Sequence, residues 1–159
     1  MAPRRSAGLL LYRISGSRPE VFVGHMGGPF WAKKDEAAWS VFKGEYEEGT
    51  EDPYAAALRE FEEETGRPPP DGPVIDLGEV RQSGGKRVVA WAIEGDFDPA
   101  ELKSNTYKVQ WPPRSGQWRT FPEVDRAEWF DLDTARRKLV TAQAAFIDTL
   151  ERALAAAGR

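Results

Sequence analysis

An α/β domain with helices on both faces of a mixed sheet is the fold class this sequence predicts. Three features predict it. Two segment pairs read as β-hairpins, one capped helix stands between them, and the C-terminal stretch carries a helical apolar spacing. Hairpins force antiparallel neighbours, so a purely parallel sheet is excluded and an α/β/α layering with partly antiparallel pairing is expected. At 159 residues the chain suits one domain with one core, taken as residues 1–159.

Residues 6–14 (SAGLLLYRI) read as a first, largely buried strand. GSRP at 16–19 is a turn signal, and EVFVG at 20–24 alternates as a pairing strand should. Residues 25–38 are glycine-rich, then basic, then acidic, and read as a loop. WSVFKG at 39–44 is expected to be one short strand, and 45–51 to be irregular. Asp52 followed by Pro53 marks a helix start, with Asp as N-cap and Pro at the first helical position. The helix should run to about Thr65, where Gly66 and the prolines beyond it stop it. Residues 74–82 and 86–95, joined by SGG, make the second hairpin. Residues 96–116 form a longer connection with a short strand near TYKVQ, and 126–132 the last strand. Residues 133–157 hold one or two helices, with Leu139, Phe146, Ile147, Leu150 and Leu154 on a buried face.

Bulk properties narrow the function classes. Without cysteine, disulfides and thiolate metal sites are excluded. The net charge of -4 speaks against a dedicated nucleic-acid coat, yet leaves room for a local patch that binds a small anion. The apolar run near the N-terminus is too short to span a membrane and lacks the features of a signal peptide. The expected setting is cytoplasmic, with no nucleic-acid or membrane partner; the sequence does not set the oligomeric state.

The chemistry concentrates in GEYEEGTEDPYAAALREFEEETG, residues 44–66. Ala56, Ala57 and Phe61 lie near one side of the helix, so that side can pack. Glu60, Glu63 and Glu64 are spaced i, i+3, i+4 and share another face. Like charges at that spacing cost roughly 0.2–0.5 kcal/mol per pair. Negative charge near a helix C-terminus also opposes the macrodipole. Arg59 offsets part of this through Glu63 at i+4, and a divalent cation would offset far more. Oxygen ligands without cysteine and with a single histidine point to Mg2+, with Mn2+ as the alternative. Because magnesium takes few carboxylates and completes its shell with water and phosphate oxygens, the pattern implies a metal and a phosphorylated ligand together. The bland alternative is a solvated acidic helix face.

The run Arg59-Glu60-Phe61-Glu62-Glu63-Glu64-Thr65-Gly66 resembles the second half of the Nudix box, and Gly44, preceded by Lys43, is similar to its opening glycine. There are two departures. Six residues rather than five separate Gly44 from the next matching glutamate, Glu51, leaving Thr50 at the strict position; and Arg67 stands where an aliphatic residue is usual. One extra loop residue, with Glu51 as the loop glutamate, accounts for the first. The resemblance implies a Nudix-like α/β/α sandwich and Mg2+-dependent hydrolysis of a nucleoside diphosphate linked to another group. An NTP or a dinucleoside polyphosphate is the expected small-molecule partner. It also implies that Glu60, Glu63 and Glu64 bind metal and carry the base. Arg59 would orient them by ion pairing, and the Gly44 carbonyl would be a further ligand. Glu123, six residues before Trp129, sits where the family often places one more acidic ligand. Glu60 and Glu123 both remain candidates for the general base.

Lys43, Lys34, Arg81 and Lys86 are candidate phosphate contacts, each reading otherwise as ordinary surface charge; Lys33 and Arg87 are similar. Lys43 is the best placed because it adjoins Gly44. Trp31 and Tyr107, with Phe30, are candidate nucleobase contacts, whereas Trp39, Trp91 and Trp129 read as core residues. His25, within the expected loop, reads as a loop or hydrogen-bonded residue rather than a catalyst. The competing functional hypothesis is a catalytically idle module of the same fold that senses a nucleotide.

Overall fold

The computed structural model describes residues 5–159, so Arg4 and the residues before it lie outside the description that follows. Eleven residues of apolar-rich strand, β1 (Arg5–Ser15), turn back into β2 (Arg18–Met26) and pair with it antiparallel from Leu11↔Phe22 to Ser15↔Arg18. Beyond Leu11 the two strands part. Strand β3 (Trp39–Ser40) pairs with β2 at Gly24 and His25, while β4 (Phe42–Glu45) pairs with β1 at residues 6–9. The single strand expected over 39–44 is therefore two short strands that fill the fork between β1 and β2. That splay is a tertiary feature, and six residues of local pattern do not encode it. Strand β5 (Val74–Arg81) and β6 (Arg87–Glu94) form the expected second hairpin, and β6 runs parallel to β1. The sheet is thus mixed.

The connection expected over 96–116 contains β7 (Thr106–Gln110), as the TYKVQ pattern predicts. A strand the sequence reading did not expect, β8 (Trp118–Pro122), folds back on it as a separate two-stranded ribbon. The last strand, β9 (Val124–Asp131), starts two residues earlier than expected and pairs with the outer edge of β2. It leads into α2 (Leu132–Lys138) and α3 (Ala144–Ala156), so the C-terminal stretch holds two helices.

Helix α1 (Pro53–Thr65) is bounded as its sequence dictates. The Asp52 side chain accepts from the Ala55 N–H at 3.0 Å, and Gly66 ends the helix in the left-handed region at φ 84°, with its own N–H bonded to the Glu62 carbonyl. The strand period of two sorts β1 between two layers. Leu9 and Leu11 face α1 and join Phe22, Phe42, Phe61, Ile93 and Phe97. Leu10 and Tyr12 face the other way and join Trp39, Leu139, Phe146, Ile147, Leu150 and Leu154 from the C-terminal helices. Phe61 is fully buried, with Phe42 edge-on at 5.6 Å between ring centroids. Phe61→Ala should therefore lower the free energy of unfolding by about 3–5 kcal/mol, read as a reduced midpoint in urea.

Candidate functional site

The fork between β1 and β2 has a chemical consequence. It carries Lys43 and Gly44 into the middle of the sheet, directly over the C-terminal half of α1. Gly44 lies so close to α1 that a Cβ there would overlap the Glu60 carboxylate, so glycine is required by contact rather than by backbone angle. The Lys43 backbone N–H donates to Glu64 at 2.9 Å. Strand β4 and helix α1 are thus clipped together at the two glutamates.

Arg59 organises the opposite side. Its Nε and one terminal nitrogen donate to the two oxygens of Glu51, both at 2.9 Å, and its other terminal nitrogen donates to Glu60 at 2.8 Å and Glu63 at 3.2 Å. Glu51, not Thr50, meets the arginine; Thr50 turns its hydroxyl to the Glu47 carbonyl. The loop absorbs its extra residue without shifting the helix register. Arg67, where the resemblance expects an aliphatic residue, pairs with Glu101 at 2.6 Å on the surface.

Four carboxylates follow one another: Glu63, Glu60, Glu64 and Glu123. Glu63 is solvent-accessible, whereas Glu60 is only 9% exposed. Burial first, then the Glu63 charge, pushes the Glu60 carboxyl up. Burial likewise raises Glu64, against the pull of Lys43 and with a push from Glu123 and Glu60. Burial raises Glu123, opposed by Lys43 and Lys86. Lys43 is driven down by burial and by the neighbouring Lys86 ammonium. Lys43 and Lys86 thus come together at the Glu64–Glu123 end of the row.

The raised carboxyls set a pH dependence. Their folded values lie above the unfolded value of about 4.3, so the folded state holds these protons more tightly. Their contribution to stability is fully present below that value and is lost as pH rises through the raised ones. In chelator, the melting temperature should fall by several degrees as pH is raised from about 5 to 8. A flat or rising profile over that window would contradict the burial argument.

A cavity of 250 Å³ opens beside this row, bounded by Gly24, Met26, Gly27, Trp31, Ser40, Val41, Lys43, Glu64, Tyr107, Glu123 and Val124. Tyr107 reaches it from the β7–β8 ribbon and donates its hydroxyl to the Gly27 carbonyl at 2.9 Å. Trp31 reaches it from the loop before β3, with the Lys34 ammonium 5.1 Å above its ring. A wider cleft of 390 Å³ lies at the start of α2, lined among others by Arg18, Asp131 and Arg137, and meets none of the acidic row.

Of the residues singled out in the sequence, the structure brings together Lys43, Gly44, Glu60, Glu63, Glu64, Lys86, Glu123, Trp31 and Tyr107, with Arg59 as their brace. Arg81 is not among them. It is exposed at the end of β5 and does not line the cavity, because the strand pleat turns it outward. Lys34 caps the Trp31 ring from outside instead of lining the cavity. His25 is not in a loop: it is fully buried in β2, between Asp125 at 2.9 Å and the Lys34 carbonyl at 2.6 Å. As expected, it takes a hydrogen-bonded structural place. Gln143 is a buried polar residue that the sequence does not single out, for a lone glutamine between two helices carries no local signal.

The donor set suits a hard divalent cation. It consists of carboxylate oxygens, raised by burial and, at Glu60 and Glu64, by neighbouring carboxylates, which a cation relieves. Among the described residues no three acidic or histidine side chains already form a closed metal cage. Arg59 holds Glu60 and Glu63, and the Lys43 amide holds Glu64. Loading a metal therefore requires these carboxylates to turn from their present partners.

Residues 2–150 match the family model described as the NUDIX domain, and the chain belongs to that family. The class of protein that this family and fold define is the Nudix pyrophosphohydrolase, an enzyme acting on phosphorus-containing anhydrides. None of the curated proteins matches the chain in sequence. Among solved structures, the NUDIX domain of Shewanella oneidensis NrtR complexed with ADP ribose is similar at a TM-score of 0.65 and 15% identity, covering 97% of this chain and 90% of that one. An Ap4A hydrolase binary complex from C. elegans reaches a TM-score of 0.64 at 19% identity, covering 96% and 98%. A mutT/nudix family protein from Listeria innocua reaches 0.63 at 16% identity, covering 99% and 98%. At these identities the structural likeness bears on the fold.

Among the described residues no helix is long and apolar enough to cross a membrane.

Proposed function

We propose that this protein hydrolyses a phosphoanhydride bond in a nucleoside diphosphate linked to another group, an NTP or a dinucleoside polyphosphate, with Mg2+ as its cofactor. The observation that carries the reading is the row of four carboxylates with the Lys43–Lys86 pair at its Glu64–Glu123 end, beside one cavity walled by Trp31 and Tyr107. Opposite charges sorted this way match a substrate that is anionic at its phosphates and reached through a cation.

Glu60, Glu63, Glu64, Glu123 and the Gly44 carbonyl would hold the metal. Mn2+ would fit the same oxygen donors. A divalent ion there neutralises phosphate charge and makes a water more acidic. Arg59 orients Glu60 and Glu63 through its hydrogen bonds to both. Lys43 and Lys86 receive phosphate oxygens by charge-assisted hydrogen bonds. A carboxylate oxygen of Glu60 or Glu123 takes the proton of the attacking water, both groups being shifted toward neutrality where a general base works best. Water adds to one phosphorus, the bridging P–O bond breaks, and the second phosphate departs. Trp31 and Tyr107 offer aromatic faces to a base.

The test is incubation of the purified protein with magnesium and a panel of nucleoside polyphosphates, following phosphate products. Metal-dependent release is expected. The similarity to a NUDIX domain complexed with ADP ribose supports a second reading, a module that binds a nucleotide without turning it over. Binding without product would favour it. Lys43→Ala should raise KM by about ten- to a hundredfold, because it removes a hydrogen-bonded charge, with a smaller change in kcat. An unchanged KM would remove Lys43 from the phosphate site.

A further inference from the structure

Gln143 is fully buried, and both of its amide protons and one lone pair of its side-chain oxygen are used in hydrogen bonds. Its oxygen accepts the Val41 backbone N–H at 2.9 Å. Its nitrogen donates to the Ser40 hydroxyl at 3.0 Å and to the Gln82 side-chain oxygen at 2.8 Å. The orientation of the amide follows from the partners. An N–H can only donate, so the oxygen faces Val41; Ser40 spends its own proton on the Val41 carbonyl at 2.7 Å, so it must accept from Gln143. Gln82 completes the chain, since its backbone N–H donates to the Lys86 carbonyl at 2.7 Å.

These bonds join two separate parts of the fold. Ser40 and Val41 belong to the fork segment that leads to Lys43. Gln82 opens the tight connection between β5 and β6 that ends at Lys86. The glutamine is itself anchored, because its backbone N–H bonds the Val140 carbonyl at 2.8 Å and the Val140 N–H bonds the Trp39 carbonyl at 2.9 Å. We propose that Gln143 is a positioning residue that sets the separation of Lys43 and Lys86, and thereby the phosphate affinity of the site, with Gln82 as its arm toward Lys86. This rests on the reading of the two lysines as phosphate contacts.

A polar side chain in this place is otherwise expensive. Burying an amide is tolerable only when its partners are met, and a leucine would bring no such requirement. Leucine would leave Val41 without an acceptor and Gln82 without a donor, and the β5–β6 connection would lose its link to the fork.

The test is a cycle of variants assayed with magnesium and either ATP or diadenosine tetraphosphate, whichever is turned over. Gln143→Leu should raise KM about tenfold while kcat stays within about threefold. Gln82→Met, at a half-buried and more tolerant position, should raise KM by about three- to fivefold. In a Lys86→Ala background Gln82→Met should have no further effect, because its influence runs through Lys86. If Gln82→Met costs as much in that background as in the wild type, the role is general packing and the proposal is overturned. It is also overturned if the two glutamine variants lower kcat and stability with KM unchanged. If Lys86→Ala leaves KM unaltered, the phosphate reading of the lysines fails and this proposal fails with it. Should Gln143→Leu not fold, the Gln82 and Lys86 cycle decides alone. Should neither nucleotide be hydrolysed, the same cycle is read in the dissociation constant of each, with the same two outcomes.

Discussion

Glu63→Gln should lower kcat for the magnesium-supported reaction by about two to four orders of magnitude while leaving the melting temperature almost unchanged. The two halves of that expectation come from one geometry. Glu63 sits on the accessible side of α1, with its carboxylate 3.2 Å from Arg59, so its removal opens no cavity and strands no buried group. An exposed ion pair of this kind contributes little to folding. Its carboxylate nevertheless stands beside Glu60 at one end of the acidic row, where a neutral amide would replace a charged ligand by a weak one. Product release per unit time and a thermal melt on the same sample check both halves. Retention of activity within tenfold would remove Glu63 from the machinery.

Gly44→Ala is expected to be nearly as damaging, for a steric reason. A methyl group at this position would occupy the space of the Glu60 carboxylate. Glu60 is braced by Arg59 and nearly buried, so it cannot swing aside without breaking that contact. Either β4 rises off α1 or the carboxylate leaves its place, and misplacement by about 1 Å commonly costs about a hundredfold in rate. We expect a loss of that size or more in kcat/KM. Gly49→Ala is the control. A Cβ there meets nothing within 4 Å, though the positive φ of 92° makes the substitution mildly strained. It should cost a little stability and leave the rate alone. Equal losses in the two variants would mean that Gly44 matters only for folding.

Much of this arrangement is legible in the sequence, and the reason is locality. The Asp52–Pro53 start, the Gly66 stop and the packed side containing Ala56, Ala57 and Phe61 depend on neighbours within a turn or two, and α1 forms as its residues dictate. The pairing of Arg59 with Glu63 follows from helix spacing alone, whereas its pairing with Glu51 is seen only in the folded chain. The reading fails where long-range contacts decide. Nothing within residues 39–44 announces that β1 and β2 part and that this segment must serve both. Strand β8 is hard to read because WRTFP has a proline at its end and lies in a polar, proline-rich connection; its pairing with β7 makes it a strand. Arg81 and Lys86 lie close together in sequence with similar chemistry, and only the pleat of the hairpin separates the one that points outward from the one that meets Lys43. Gln143 is the extreme case, since its partners lie 61 to 103 residues away.

In the proposed hydrolysis, carboxylates of α1 and Glu123 gather around a divalent ion next to Lys43 and Lys86. The most direct measurement is a crystal structure of the protein soaked with magnesium and a non-hydrolysable nucleoside polyphosphate. It should show an ion at about 2.0–2.1 Å from carboxylate oxygens of this row, with a phosphate oxygen completing its shell and both lysines on the phosphates. A nucleotide seated elsewhere, with Glu60, Glu63 and Glu64 still held by Arg59 and the Lys43 amide and no ion among them, would contradict it.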